Sequence, residues 1–138
     1  RLRSRGARDF REYVALVRSC AEERAAMVTA LTTNHTSFFR EVHHFDHLRT
    51  TLAPELRRKV EAGSPIRIWS AGCSSGEEVY SIAMCLLGQH PGNSHWARSS
   101  KVRLLATDIA QPMVEATRRA SYPRAAADSI PLPYRAAW

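Results

Sequence analysis

The segment from Gly72 to Glu78, GCSSGEE, combines a flexible backbone with a pair of carboxylates. It follows the short apolar run IRIWSA and precedes apolar residues at helical spacing, which predicts a strand-to-helix turn. The glycines allow a tight turn and a close approach of backbone to ligand, and ligands of open parallel sheets bind at this end of the strands. The spacing is not GxGxxG, which disfavours a nicotinamide dehydrogenase. Glu77 and Glu78 would repel a diphosphate, so a cationic or hydroxyl-bearing ligand is favoured; the alternative is a pair of acids that only stabilises the helix dipole.

Asp108 stands at the end of a second apolar run, LLATD. An acid at that place typically accepts hydrogen bonds from ribose hydroxyls. The interval from Gly76 to Asp108 is 32 residues, longer than the usual spacing of about 20, and a polar loop around Pro91 would absorb the excess. The alternative is that Asp108 only caps the helix that begins near Gln111.

Two further polar segments could do chemistry. TTNHTSFFRE, residues 32–41, resembles a helix start with Asn34 or Thr36 as the cap, and its polar residues could also hold a ligand. HHFDH places His43 and His47 four residues apart, as metal ligands on one helical face would be. No third ligand is evident, so an ordinary amphipathic helix is favoured and no metal is expected.

The composition is that of a globular chain of 138 residues, with 44% hydrophobic and 24% charged residues. A net charge of +7 favours an anionic partner, and a GC-rich genome, which enriches arginine, would explain it equally well. No run approaches 18 apolar residues, and RLRSRGARDF lacks the apolar stretch of a signal peptide, so a cytoplasmic protein is expected. The cysteine spacings match no zinc pattern, and the odd count of three suits reduced thiols.

Periodicity predicts helices first and an α/β arrangement afterwards. Residues 7–31 carry helical periodicity, with a second helix that begins at about residue 22, and a longer helix is predicted over about 42–62. After these come two predicted strands, IRIWSAG and KVRLLATDI. Each strand is followed by a predicted helix, GEEVYSIAMCLLGQ after the first and AQPMVEATRRA after the second. Pro54 either breaks the long helix or begins a separate one. The last 17 residues, from Tyr122, contain three prolines and are predicted to be irregular.

The alternation of strands and helices predicts a parallel sheet with right-handed crossovers. We therefore expect a helical N-terminal region over 1–62 and an α/β domain over 63–138. Two strands are too few for a parallel sheet, which needs cover on both faces. Either the chain is a fragment or a partner completes its sheet. An unpaired edge strand also predicts self-association and marginal stability as a monomer.

The segments ALTTNHTSFFREVHHF, RIWSAGCSSGEEVYSIAM and LLATDI together resemble the chemotaxis receptor methyltransferases. Their order is that of the family, and the resemblance covers nearly the whole chain. It implies a class I, Rossmann-like methyltransferase sheet that is incomplete here. It also implies S-adenosylmethionine as cofactor, S-adenosylhomocysteine as product, and methyl esters formed on chemoreceptor glutamates in chemotaxis adaptation.

The resemblance also implies roles for particular residues. Asn34, Thr36 and Arg40 would contact the cofactor, with Arg40 near the transferred methyl group and in a catalytic role. Glu78 would contact the cofactor from the first loop, and Asp108 would bind the adenosine ribose. The pair Phe38–Phe39 is expected to pack the helix and not to touch ligand.

Two departures from the family qualify this prediction. Family members have roughly twice this length, and only RLR remains of their basic receptor-facing helix. The later asparagine segment of the adenine pocket and the small β-subdomain are absent as well. The expected partners are the cytoplasmic helices of methyl-accepting receptors, with no nucleic acid and no membrane insertion. The alternative is a truncated, non-catalytic remnant that binds cofactor or receptor.

Overall fold

The computed structural model describes residues 1–137 and contains seven α-helices and two strands within that range. The helices are α1 (Phe10–Ser19), α2 (Ala21–Leu31), α3 (Val42–His47), α4 (Ala53–Glu61), α5 (Glu77–Leu87), α6 (Gln111–Arg119) and α7 (Leu132–Ala137), and the strands are β1 (Ile66–Ala71) and β2 (Val102–Thr107). Short 3-10 turns cover Arg3–Arg5, Pro91–Asn93 and Arg124–Ser129.

The helices α1 and α2 form a hairpin around one buried carboxylate, which confirms the two predicted helices. The Asp9 side chain caps α1 by accepting a hydrogen bond from the Glu12 amide. Glu23 on α2 is only 2% exposed. Its oxygens accept hydrogen bonds from the Arg1 guanidinium at 3.0 and 2.6 Å and from the Tyr13 hydroxyl at 2.9 Å, and Arg5 lies 2.9 Å away. A buried carboxylate therefore fixes the basic N-terminal turn against the hairpin.

This cluster makes the stability of the hairpin depend on pH. The Arg1 hydrogen bond holds the pKa of Glu23 below its ordinary value. A carboxylate whose pKa is lowered in the folded state stabilises that state above the unfolded pKa and loses the effect as pH falls. Helicity followed by circular dichroism from pH 7 to pH 3 should therefore fall below about pH 4.3. Glu23→Gln should be less stable at pH 7 and should show a flatter dependence on acid. Glu61→Gln, which breaks an exposed pair with Arg57, is the control and should change little.

The segment 32–41 is not helical, so the prediction that Asn34 or Thr36 caps a helix there is wrong. Phe38 and Phe39 are both buried, but they pack from a turn and not from the expected helix. Phe39 has a positive φ of 53°, and its amide donates to the Ser81 hydroxyl at 2.9 Å. This φ is far from the α-helical value of about −63°, and burial of Phe39 together with its bond to Ser81 holds the backbone in a turn.

The long helix predicted over 42–62 is present, with one irregularity before Pro54. The five residues Leu48–Leu52 form a π-helical turn between α3 and α4. Pro54 lacks an amide hydrogen, and its ring would clash with the carbonyl four residues earlier in a regular α-helix. The wider turn relieves that conflict, so Pro54 lies in the first turn of α4 and the helical path continues through it.

The two strands pair in parallel, with Ile66 opposite Val102 and Ala71 opposite Thr107. One face of this pair packs its apolar residues against α4 and α5. On the other face, Trp69 and Leu105 are cross-strand partners that remain 65% and 56% exposed. The sheet within residues 1–137 therefore has one covered face, which agrees with the expected incomplete Rossmann-like arrangement.

The prediction of an irregular C-terminal tail is partly wrong. After Pro123 comes the 3-10 turn over Arg124–Ser129, and after Pro131 comes α7. The Pro131 carbonyl accepts the amides of Tyr134 and Arg135. Proline is tolerated at a helix start because the N–H that it lacks would have no partner within the helix there. Tyr134 is 3% exposed and stacks on Phe39 with ring centroids 5.1 Å apart. Within residues 1–137, every helix is too short or too polar to cross a bilayer.

Candidate cofactor site

The loop from Gly72 to Gly76 lies at the carboxyl ends of both strands. The amides of Gly72 and Cys73 donate to the Thr107 carbonyl at 2.8 and 2.9 Å, which joins the end of β1 to the end of β2. Three loop residues have positive φ: Gly72 at 80°, Ser74 at 48° and Gly76 at 103°. The glycines supply this conformation without steric cost, so the loop turns sharply before α5 begins.

Ser74, in the glycine loop, hydrogen-bonds to the two other segments in which the sequence predicts ligand contacts, namely 32–41 and the end of β2. Its amide donates to Asp108 Oδ2 at 2.8 Å. Its hydroxyl donates to the Asn34 carbonyl at 2.8 Å, and its own carbonyl accepts from the Thr117 hydroxyl at 3.0 Å. Because each polar group of Ser74 is used, the positions of Asn34, Asp108 and the glycine loop are set relative to one another.

Asp108 lies just beyond β2, with both carboxylate oxygens anchored. Oδ2 accepts the Ser74 amide, and Oδ1 accepts the Ala110 amide at 2.8 Å. The alternative that Asp108 is the N-cap of α6 is wrong, because Ala110 holds that position and Asp108 bonds to the amide of the cap residue. A carboxylate has about four acceptor sites, so two remain for ligand hydroxyls.

Glu78 lies in the first turn of α5 and is exposed. Its Oε1 accepts a hydrogen bond from the Ser70 hydroxyl at 2.8 Å. Ser70 is 1% exposed at the end of β1, and sequence analysis did not select it. The available signal was a small polar residue inside the apolar run IRIWSA. Ser70 orients one carboxylate oxygen of Glu78 and leaves the other to a ligand.

A cleft in two halves surrounds the loop. The larger half, a cavity of about 550 Å³, is lined by Thr36, Arg40 and Glu78 among others. The smaller half, of about 420 Å³, is lined by Asn34 and Asp108. The two halves share three lining residues, namely Thr33, Gly72 and Ser74. All five residues predicted from the sequence therefore lie around one cleft.

The polar residues of 32–41 reach the cleft in different ways. The Arg40 side chain is exposed, and its Nη1 donates to the His35 carbonyl at 2.7 Å. The Asn34 amide group donates to the Thr29 and Thr32 carbonyls at 3.3 and 3.4 Å, so it satisfies carbonyls at the end of α2. Asn34 meets the loop through its backbone carbonyl, and contact of its side chain with a ligand stays a prediction.

The two histidines considered as metal ligands, His43 and His47, lie on α3. His43 packs against His44 with ring centroids 4.1 Å apart, and its Nδ1 lies 3.8 Å from a Glu41 carboxylate oxygen. In the part of the chain that the structure describes, no three His, Cys, Asp or Glu residues are grouped as metal ligands.

The cleft combines acid groups with an open volume suited to a small cationic ligand that carries hydroxyls. Comparison with known protein families identifies that ligand. Residues 34–138 match the family described as "CheR methyltransferase, SAM binding domain". The chain belongs to the CheR methyltransferase family. S-adenosylmethionine is thus the cofactor of this domain, and the cleft fits a cation that carries hydroxyls, because two carboxylates with free acceptor sites lie around it.

Several chemotaxis protein methyltransferases are similar to this chain over most of its length. A probable chemotaxis protein methyltransferase of Rhizobium etli is 40% identical over 99% of this chain and 50% of its own length. The chemotaxis protein methyltransferases of Borreliella burgdorferi and Escherichia coli are 40% and 42% identical over 88% of this chain, which corresponds to 44% and 39% of their lengths. The chain therefore spans half or less of these three relatives.

Proposed function

We propose that this chain forms the cofactor-binding part of an S-adenosylmethionine-dependent methyltransferase that converts chemoreceptor glutamate side chains to methyl esters. The observation that carries the proposal is the junction at Ser74, which brings Asn34, Asp108 and the glycine loop to one cleft. Support also comes from the names of the relatives, which are chemotaxis methyltransferases. The proposed partners are the cytoplasmic helices of methyl-accepting receptors, and the proposed location is the cytoplasm.

Each residue of the cleft has a proposed task. Asp108 accepts hydrogen bonds from the ribose hydroxyls in the smaller half of the cleft. Glu78, oriented by Ser70, accepts from the cofactor's amino group in the larger half. Asn34 and Thr36 line the two halves beside them and contact the cofactor between these ends. These assignments place the reacting end near Arg40, which lines the larger half as well.

The chemistry needs positioning more than acid–base groups. A glutamate side chain has an ordinary pKa of about 4.3, so the nucleophilic carboxylate is already ionised at neutral pH. The bound cofactor supplies an electrophilic methyl group on a sulfonium sulfur. The chain's contribution is to hold the two reactants in line and to exclude water from them. The Arg40 guanidinium can hold the incoming carboxylate through paired N–H donors, which is its proposed catalytic role.

Arg40→Ala is the test of that role. We expect single-turnover methyl transfer to a receptor fragment to fall about 100-fold, because misplacement of a reactant costs about that much. The affinity for S-adenosylhomocysteine should change much less. Arg57→Ala, which removes an exposed arginine paired with Glu61 on α4, is the matched control. Loss of cofactor affinity with an unchanged single-turnover rate would show that Arg40 serves cofactor binding alone.

The second candidate function is a cofactor- or receptor-binding protein without turnover. It is favoured by one observation: within residues 1–137, Trp69 and Leu105 stay exposed on one face of a two-stranded sheet, which is less cover than a parallel sheet needs. Transfer of a labelled methyl group from cofactor to a receptor fragment, released again as methanol by mild base, would support the enzyme. Tight binding without any label transfer would support the second candidate.

Self-association through the open sheet also stays a prediction. The molecular mass of the protein in solution tests it.

A further inference from the structure

Two hydroxyl groups hold the cofactor loop from outside the cleft. The Thr117 hydroxyl of α6 donates to the Ser74 carbonyl at 3.0 Å, and the Tyr122 hydroxyl donates to the Ser75 carbonyl at 2.7 Å. Neither Thr117 nor Tyr122 lines either half of the cleft. Two consecutive loop carbonyls are therefore fixed by side chains that would not touch the cofactor.

The loop is pressed closely against these two side chains. A β-carbon placed on Gly76 would lie 2.8 Å from the Tyr122 hydroxyl and 2.9 Å from Thr117. Tyr122 is itself held in place, because its ring packs edge-on against Phe38 with centroids 4.9 Å apart and against Tyr80 at 6.0 Å. Burial also raises the pKa of Tyr122, so its hydroxyl stays a donor throughout the neutral range.

We propose that Tyr122, together with Thr117, is a positioning residue for the cofactor loop. The inference rests on the proposed function, which assigns this loop to S-adenosylmethionine binding. The two hydroxyls fix the peptide planes on either side of Ser75. A fixed carbonyl plane after Ser74 restricts rotation about the ψ of Ser74, and this holds the residue in the orientation in which its amide meets Asp108 and its hydroxyl meets Asn34. Tyr122 thus sets the geometry of a ligand site that it does not contact.

The physical need for such a support lies in the conformation of Ser74. Its φ of 48° is left-handed, a region that costs an L-residue about 1–2 kcal/mol. A residue keeps such a conformation only when its surroundings over-determine it. With one hydroxyl removed, the loop can relax, and the amide of Ser74 then no longer holds the carboxylate of Asp108 in place.

Tyr80 offers a matched control in the same cluster. Like Tyr122 it is half-buried, and its hydroxyl also donates to a backbone carbonyl, that of Thr117 at 2.8 Å. That carbonyl belongs to α6 and not to the loop. Tyr80→Phe and Tyr122→Phe therefore delete the same atom from neighbouring rings, and only the second deletion frees a loop carbonyl.

The first test is calorimetric titration with S-adenosylhomocysteine. Tyr122→Phe should raise the Kd about three- to tenfold, as expected for one lost hydrogen bond, and Tyr80→Phe should change it less than about twofold. The two variants should lower the melting temperature by similar amounts. Thr117→Val should weaken binding as Tyr122→Phe does, and Thr117→Ser, which keeps the hydroxyl, should restore it. Equal Kd values for the two tyrosine variants would overturn the proposal.

The second test does not depend on binding. Amide hydrogen exchange at Ser74 and Gly76, whose N–H groups bond to Asp108 and to the Cys73 carbonyl, should speed up about three- to tenfold in Tyr122→Phe and stay unchanged in Tyr80→Phe. Absence of cofactor binding by the unsubstituted chain would count against the proposed function, and exchange would still decide the role of Tyr122. Unchanged exchange in Tyr122→Phe would overturn the inference.

Discussion

Gly76→Ala should destabilise the protein by about 2–5 kcal/mol and disrupt the cofactor loop. Two costs add at this position. The φ of 103° is unfavourable for any residue with a β-carbon, at about 1–2 kcal/mol. The new methyl group would also lie within 3.0 Å of Tyr122 and Thr117, and overpacking costs about 1–3 kcal/mol more. Chemical denaturation followed by circular dichroism measures the sum.

Two other glycines separate these costs. Gly6 has a φ of 68° with open space around its missing β-carbon, so Gly6→Ala tests backbone strain alone. Gly92 has neither a positive φ nor a close neighbour, so Gly92→Ala should be nearly neutral. We expect the losses of stability to rank Gly76 above Gly6 and Gly6 above Gly92. If Gly76→Ala were no worse than Gly6→Ala, the close packing of the loop against Tyr122 and Thr117 would be wrong.

Asp108→Ala should weaken binding of S-adenosylhomocysteine about 100-fold. The substitution removes the proposed ribose acceptor, and hydrogen bonds to a charged group are worth about 1.5–3 kcal/mol. It also leaves the amides of Ser74 and Ala110 without their acceptor, which loosens the loop that forms the other wall. Titration calorimetry on the folded variant measures the loss.

The matched control for this substitution is Asp128→Ala. Asp128 is an exposed aspartate that pairs with Arg135 at 3.2 Å, and an exposed ion pair contributes little to stability. We expect the control to bind S-adenosylhomocysteine as the unsubstituted chain does. Equal binding by the Asp108 and Asp128 variants would remove Asp108 from the site.

The central part of the site follows from sequence because parallel strands have a simple geometry. GCSSGEE follows β1 and Asp108 follows β2, and neighbouring parallel strands end at the same edge of a sheet. Their proximity is therefore fixed once the strands are recognised. The periodicity of apolar residues also locates most of the helices, since burial of one face imposes a helical repeat on the sequence.

The segment 32–41 could not be predicted in the same way. Its polar residues are typical of helix caps, and the preference that wins is a tertiary one: burial of Phe38 and Phe39 and the hydrogen bond from Phe39 to Ser81. The tail after Tyr122 was misjudged for a related reason. Proline is compatible with a helix start as well as with a loop, and local sequence does not distinguish the two.

Two residues that support the loop could not be predicted from the sequence. Thr117 is a small polar residue whose partner, Ser74, lies 43 residues away in the chain. Tyr122 lies 47 residues from Ser75 in a stretch without periodicity. Contacts of this kind depend on how α6 and the tail pack behind the loop, and no local pattern encodes that packing.

The most direct test of this account is titration of the unsubstituted chain with S-adenosylhomocysteine by calorimetry. The cleft around Ser74, with Glu78 and Asp108 on its two sides, predicts saturable binding of one molecule per chain. A chain that melts cooperatively, and is therefore folded, but gives no binding heat with millimolar S-adenosylhomocysteine at two temperatures would contradict the assignment of this cleft as the cofactor site.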